Sequence, residues 1–289
     1  MRSLRFSVCK VALVLVLIFG VRSNAAAWWE KGHRIATACA VEALPEEAPA
    51  FFREQGEILQ YLSGEADRWK RYGPTLRAAE RPNHYVDLEM LNEDVSKIVF
   101  PSDRYKALRG YFEKGEKIPG LLYYQIVEYY ERLWGSFRAY RAHPEALGIR
   151  HAVISYAGIL AHYAEDLSQP LHLTIHYDGR VDKRGNVVSN KGIHKRFEGP
   201  MVERHVEVGD CRKFMRAPVV LEDVAEAVKK ALLTSHGYVD EVYRRDDAGK
   251  FETPDHASKE LVRARLAFGA QFLSDLWYTA WMRSAVELE

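Results

Sequence analysis

The sequence predicts one all-helical domain. Apolar residues recur at helical spacing through five long segments, no run of alternating residues reads as a set of strands, and 289 residues at 47% hydrophobic can bury a sizeable core. Gly 19 and Pro 11 are too few for a collagen-like or linker-rich chain, and 12% aromatic residues argue against disorder.

Residues 30–44 are Ala-rich with apolar residues at helical spacing, and Pro45 stops them. Residues 121–141 set Leu122, Ile126, Tyr130, Leu133 and Phe137 on one stripe. Tyr123, Tyr124, Tyr129, Tyr130 and Trp134 in that segment read as core rings rather than as a base-stacking surface. Residues 151–167 form a largely apolar helix that Pro170 ends, and a short helix carries His194 and Glu198. Residues 219–233 and 259–282 complete the set, the last with Val262, Leu266, Gly269, Leu273 and Leu276 in line. Residues 178–191 are polar and Gly-punctuated, a loop with at most a short hairpin.

The first 27 residues have a different character. Arg2, Arg5 and Lys10 flank the start of an apolar run at 11–21, and Ala25, Ala26 and Ala27 close the segment. That is the pattern of a secretory signal peptide cut after Ala27. The run falls short of the roughly 20 apolar residues that span a bilayer. No later stretch reads as a transmembrane anchor. The mature domain, 28–289, is therefore expected to be secreted or periplasmic and to begin at Trp28.

Residues 1–27 hold four of the 41 basic residues and none of the 40 acidic ones, so the remainder carries a charge of −3. Such a chain has no global field to recruit nucleic acid or an anionic membrane, so any such partner needs a local site. No stable protein partner is implied. Cys9 leaves with the leader. Cys39 and Cys211 remain, either as one bridge or as two separate buried thiols. Two cysteines cannot build a thiolate zinc site, so a metal here must use histidine and carboxylate.

The chemistry concentrates in the histidines, of which there are eleven. His162 and Asp166 stand four apart on a helix and project from one face. His172 follows at the helix-ending Gln169-Pro170-Leu171 turn. His194 and Glu198 repeat the four-residue pairing. His33 lies near the mature N-terminus, His84 in Asn83-His84-Tyr85, and Asp67 in Glu65-Ala66-Asp67-Arg68. Imidazole with carboxylate and no thiolate suits zinc at a catalytic rather than a structural site. His151 lies on the His162 face as outer support or plain core. His143, His176, His205, His236 and His256 are expected on surface or loops.

These residues resemble a known family. Trp28-Trp29-Glu30-Lys31-Gly32-His33 is similar to the W-x-x-x-G-H start of the zinc-dependent single-strand-specific nucleases of fungi and plants, which are homologous to bacterial zinc-dependent phospholipases C. His162-x-x-x-Asp166 followed by Gln-Pro-Leu-His172 resembles the superfamily's central signature. The resemblance implies an all-helical fold with a trinuclear zinc site. The first zinc would take Asp67, His84, His162 and Asp166. The second would take His172, His194 and Glu198. The third would take His33, Asp166 as a bridge, and the amine and carbonyl of Trp28. Asp67 is the family's favoured general base.

The implied activity is phosphodiester hydrolysis by a metal-held water, on single-stranded nucleic acid or nucleotides, or alternatively on a phospholipid head group. The spacing from Trp28 to His33 and the long step from His172 to His194 follow the nucleases, whereas Glu198 stands where they usually place Asp and so follows the phospholipases. Tyr85 would stack on a base or pack beside the metal. Arg68, Lys70 and Arg71 would hold a phosphate or remain solvated surface charge. An exported zinc-binding protein without turnover would show the same ligand set.

Overall fold

The five long segments expected to be helical are helical, each displaced by a few residues at its ends. The structure is a computed structural model that describes residues 28–285. The expected leader at 1–27 lies outside the described residues, as do 286–289. The first helices are α1 (Trp29–Glu42), α2 (Ala50–Arg53), α3 (Gly56–Leu62), α4 (Glu65–Tyr72), α5 (Pro74–Glu80), α6 (Leu88–Leu91) and α7 (Arg104–Lys114). The long pair α8 (Leu122–Ala142) and α9 (Leu147–Asp166) follows. After them come α10 (Ile193–Glu198), α11 (Pro200–His205), α12 (Val208–Arg212), α13 (Val224–His236), α14 (Val239–Asp247) and α15 (His256–Arg283). The polar loop contains one antiparallel hairpin, β1 (Arg180–Val181) with β2 (Val187–Ser189).

Capping explains where the helix ends fall. Helix α13 starts five residues later than its apolar pattern because the Asp223 carboxylate accepts the Glu226 N–H at 3.0 Å. Helix α15 starts three residues earlier because Asp255 accepts the Ser258 N–H at 2.8 Å. Past α9, the Gln169 side chain accepts the Leu171 N–H at 2.7 Å and opens a 3-10 turn at Pro170–Leu173.

Two large apolar clusters share the domain, with a small third one at Ala107, Leu121 and Tyr124. One joins α8 and α9 to the C-terminal half of α15, and every residue of the expected α8 stripe is buried in it. The other joins α1, α10, α11 and α14 to the N-terminal half of α15. Each Leu or Phe buried here stabilises the fold by roughly 1.5–3 kcal/mol over leaving it exposed. Helix α15, about 42 Å long at 1.5 Å per residue, runs through both clusters. Cys39 and Cys211 are buried free thiols that touch each other where α1 meets α12.

Two close approaches position the site. A Cβ at Gly158 would lie 2.4 Å from Leu62 Cβ, so only glycine lets α9 meet the end of α3 this closely. Gly120, at φ +114°, lies under the Tyr85 carbonyl, where a Cβ would come within 2.1 Å. The segment 84–87 is thereby clamped against 119–122, and the Val86 N–H also donates to the His172 carbonyl at 2.9 Å.

Candidate metal centre

The C-terminal end of α9, the first turns of α1 and α4, the 3-10 turns at Arg81–His84 and Pro170–Leu173, and α10 all converge. They bring together His33, Asp67, His84, His162, Asp166, His172, His194 and Glu198, every one of them buried. Three groups of these residues each place one donor atom per residue within 4.8 Å of the others: His33 with Asp67 and His162, His84 with His162 and Asp166, and His172 with His194 and Glu198.

The rings are held from behind. His162 Nδ1 lies 2.6 Å from the Ser63 carbonyl, and His172 Nδ1 lies 2.8 Å from the His84 carbonyl. A carbonyl only accepts, so both Nδ1 atoms carry the proton and both Nε2 atoms turn a lone pair inward. His33 Nδ1 is held instead by the Glu165 carboxylate at 2.6 Å, and Thr37 donates to the other Glu165 oxygen at 2.7 Å. Gln169 Nε2 donates to Glu198 Oε2 at 3.0 Å.

The inward atoms then face one another. His162 Nε2 stands 3.2 Å from Asp166 Oδ2 and 2.9 Å from His84 Nδ1. His84 Nδ1 is 3.0 Å from the same Asp166 oxygen, and Asp67 Oδ1 completes the group at 3.8 and 3.9 Å from His84 and His162. Asp166 turns its other oxygen, Oδ1, to His33 Nε2 at 3.5 Å; neither atom has a hydrogen bond. In the second group His194 Nε2 is 2.8 Å from Glu198 Oε2 and 3.2 Å from His172 Nε2. Two ligands of one tetrahedral zinc, each about 2.0–2.1 Å from the ion, stand about 3.3 Å apart. The donor set fits the metal in kind and in spacing.

Burial governs the charges. It lowers His162 to about 4 despite the nearby Asp67, and holds His84 and His172 well below the usual imidazole range. Burial likewise lifts Asp166 well above the usual carboxylate range, with His33 opposing and Asp67 adding to the rise. Asp67 ends below that range, because Lys70, His162 and His33 together outweigh its burial. The Lys70 ammonium sits 2.5 Å from Asp67 Oδ1 without hydrogen-bond geometry. A proton on Asp166 can relieve one lone pair, but it cannot serve both groups. A divalent cation in each can.

Outside the clusters a cleft of about 400 Å³ opens to solvent past Asp67, His84, His172 and His194. Lys70, Arg71, Tyr85, Asp87, Tyr177 and Asp178 line it, together with Arg77, Arg81 and Lys117. Tyr85 is thus at the cleft. Arg68 is not. One step along α4 from Asp67, it turns to the opposite flank, donates to Glu65 at 2.8 Å and the Tyr61 carbonyl, and lies 4.1 Å from the Tyr61 ring. Lys70 and Arg71, three and four residues past Asp67, share its face. His151 is exposed on α9 and has no hydrogen bond or ion pair among the described residues. Trp28 is wholly buried, its indole donating to the Glu165 carbonyl at 3.0 Å and to Ser168 at 3.2 Å. Its own carbonyl accepts the Gly32 N–H at 3.0 Å.

Sequence reasoning missed Glu165, Lys70 as a partner of Asp67, and the His236–Glu89 pair at 2.9 Å, in which Glu89 also accepts from Thr174 just past His172. The signal for Glu165 was available. A carboxylate inside so apolar a helix is buried and needs a partner.

No family model matches the chain, and no curated protein matches its sequence. Among solved structures, the alpha-toxin of Clostridium perfringens from avian strain SWCP is similar with a TM-score of 0.49 at 15% identity, over 90% of this chain and 64% of the toxin. The chain thus spans less than two thirds of the toxin's length. Donor geometry, not kinship, has to carry the chemistry.

Proposed function

We propose that these donors hold three zinc ions per chain, with Asp67, His84, His162 and Asp166 on the first, His172, His194 and Glu198 on the second, and His33 with Asp166 on the third, and that the protein is an exported hydrolase of phosphodiesters, acting on single-stranded nucleic acid or nucleotides. The observation that carries this is His162. Its proton is committed to the Ser63 carbonyl, its lone pair faces Asp166, and burial disfavours a second proton on the ring. When bound, zinc would supply a water of lowered pKa and neutralise charge on a phosphoryl oxygen.

The chain's own residues do the rest. Asp166 presents one oxygen to His84 and His162 and the other to His33, the geometry of a carboxylate shared between two sites. Ser63, His84 and Glu165 fix the rings from behind, so the donors need no reorganisation. Lys70 keeps Asp67 ionised, which suits a ligand and leaves it able to take up a proton, although with weak drive. Lys70 and Arg71 on the cleft wall would draw in an anionic diester. The third site would be completed by the amine of Trp28; an unperturbed α-amine, at roughly 7.7–8.0, gives up its proton to a metal near neutral pH at little cost.

The test is elemental analysis of protein refolded with zinc, joined to turnover of bis(p-nitrophenyl) phosphate, single-stranded DNA, RNA, 3′-nucleotides and phosphatidylcholine. About three zinc ions and turnover of the nucleic-acid substrates are expected. One ion or none removes the trinuclear site. Full zinc without turnover of any diester makes this a zinc-binding protein, and preference for phosphatidylcholine makes it a phospholipase.

A further inference from the structure

A second hollow, of about 590 Å³, opens beside the metal cleft and shares Arg77, Arg81, Tyr85 and Lys117 with it. Three cations line this hollow and no carboxylate does. Arg77 on α5 and Arg81 in the turn that continues it are four residues apart, so they present like charges on one face, an arrangement that destabilises a helix. The acid beside them, Glu80, is turned inward, where it accepts the Tyr163 hydroxyl at 2.9 Å and the Asn83 amide at 3.3 Å.

Arg77 spends only Nε, on the Lys70 carbonyl at 2.8 Å. Arg81 and Lys117 have no hydrogen bond or ion pair among the described residues. Nor does overall charge explain the cluster, because the chain beyond residue 27 carries −3. Unpaired cations gathered around a concave space are what an anion site looks like before its ligand arrives.

We infer that this hollow is a second anion subsite, in which Arg77, Arg81 and Lys117 hold a phosphate next to the diester taken by the neighbouring metal cleft. The inference rests on the phosphodiesterase reading of that cleft. Guanidinium groups suit the task because they grip phosphate oxygens in pairs. Tyr85 borders both spaces, on the path a linker between two phosphates would follow. A single nucleic-acid strand presents such a second phosphate. A zwitterionic phospholipid presents one phosphate and has nothing to place here.

The experiment uses the zinc-loaded full domain and its Arg77→Ala/Arg81→Ala variant. Binding of a fluorescein-labelled phosphorothioate octathymidylate, read by anisotropy, needs no turnover. The double variant should bind it about tenfold more weakly, and the slope of log Kd against log salt should fall by roughly 1.4, about 0.7 for each lost contact. The ratio of kcat/KM for octathymidylate to that for bis(p-nitrophenyl) phosphate should fall to a similar extent, because the small diester has no second phosphate. Unchanged strand affinity and salt slope would overturn the subsite, and so would an equal fall for both substrates. A chain that cleaves no diester yet shows the binding difference would sink the proposed activity and leave the subsite standing.

Discussion

His33 Nδ1 and Glu165 Oε2 lie 2.6 Å apart with neither side chain exposed to solvent, and the opposite nitrogen of the ring has no hydrogen-bond partner. Glu165 therefore decides which way His33 points its lone pair. Glu165→Gln keeps the shape but offers His33 Nδ1 a weaker, neutral acceptor. Zinc affinity at the His33 site should fall about 10–100-fold, read by competition with a chromophoric chelator, while circular dichroism is unchanged. Wild-type affinity in this variant would show that Glu165 does not orient the ligand.

Gly158 and His162 stand one turn apart on the same face of α9, and the contact at Gly158 sets how close Ser63 comes to the His162 ring. Gly158→Ala would push α3 outward. The expected cost is about 1–3 kcal/mol from overpacking, measured by urea unfolding. The first zinc group should loosen as well, because the carbonyl that keys His162 moves with α3. Unaltered stability and unaltered zinc content would mean that α3 shifts freely.

Glu198 receives Gln169 on Oε2, and its Oε1 has no protein partner. Glu198→Gln should lose one zinc per chain, because a neutral amide is a poor ligand. Glu198→Asp should retain that ion about tenfold more weakly, or about 1.4 kcal/mol. Equal zinc content in wild type and Glu198→Gln would remove Glu198 from the metal.

Asp87 gives the pH-dependent prediction. Burial lifts its carboxyl to about 6, with Lys117 opposing and Glu89 assisting. The unfolded chain releases this proton near 3.9 and the folded chain only near 6, so stability is lost as pH rises between the two and stays lost above. The penalty at pH 8 is at most about 3 kcal/mol. Asp87→Asn should therefore gain stability over wild type, with the gap opening between about pH 4 and 6 and constant beyond. A gap independent of pH would place Asp87 in water.

The proposed amine ligand can be tested by one extra residue. A domain beginning at Trp28 should bind one more zinc than the same domain beginning Met-Trp28 with the methionine retained, because an amide nitrogen has no lone pair to give. Both should fold, since Trp28 is anchored by its indole to Glu165 and Ser168. Identical zinc content and turnover would remove the Trp28 amine from the metal.

The long helices were legible because a stripe such as Leu122, Ile126, Tyr130, Leu133 and Phe137 repeats over about four turns. Helices of four to eleven residues between α1 and α8 were not, because one to three turns present too little period to read. The residues that gather in the centre were legible in the four-residue pairs His162–Asp166 and His194–Glu198, which a helix places on one face. What held them was not. Ser63 acts on His162 through a carbonyl 99 residues away, and such an atom leaves no mark on the choice of side chain. The side-chain partners of Arg68 were not legible for a related reason. Proximity in sequence put it beside Asp67, while the 100° step of the helix turned it away.

The use of backbone carbonyls at Ser63 and His84 has a consequence for how this centre tolerates change. A side-chain anchor is encoded by one codon and disappears with one substitution, as Glu165 would. A carbonyl is present whatever residue stands at position 63, so drift there costs the side chain and spares the anchor. His84 joins the two principles: replacing it removes a donor from the first group yet leaves its carbonyl to hold His172 in the second. The second group can thus outlive damage to the first, and ligands should be lost from this lineage one group at a time.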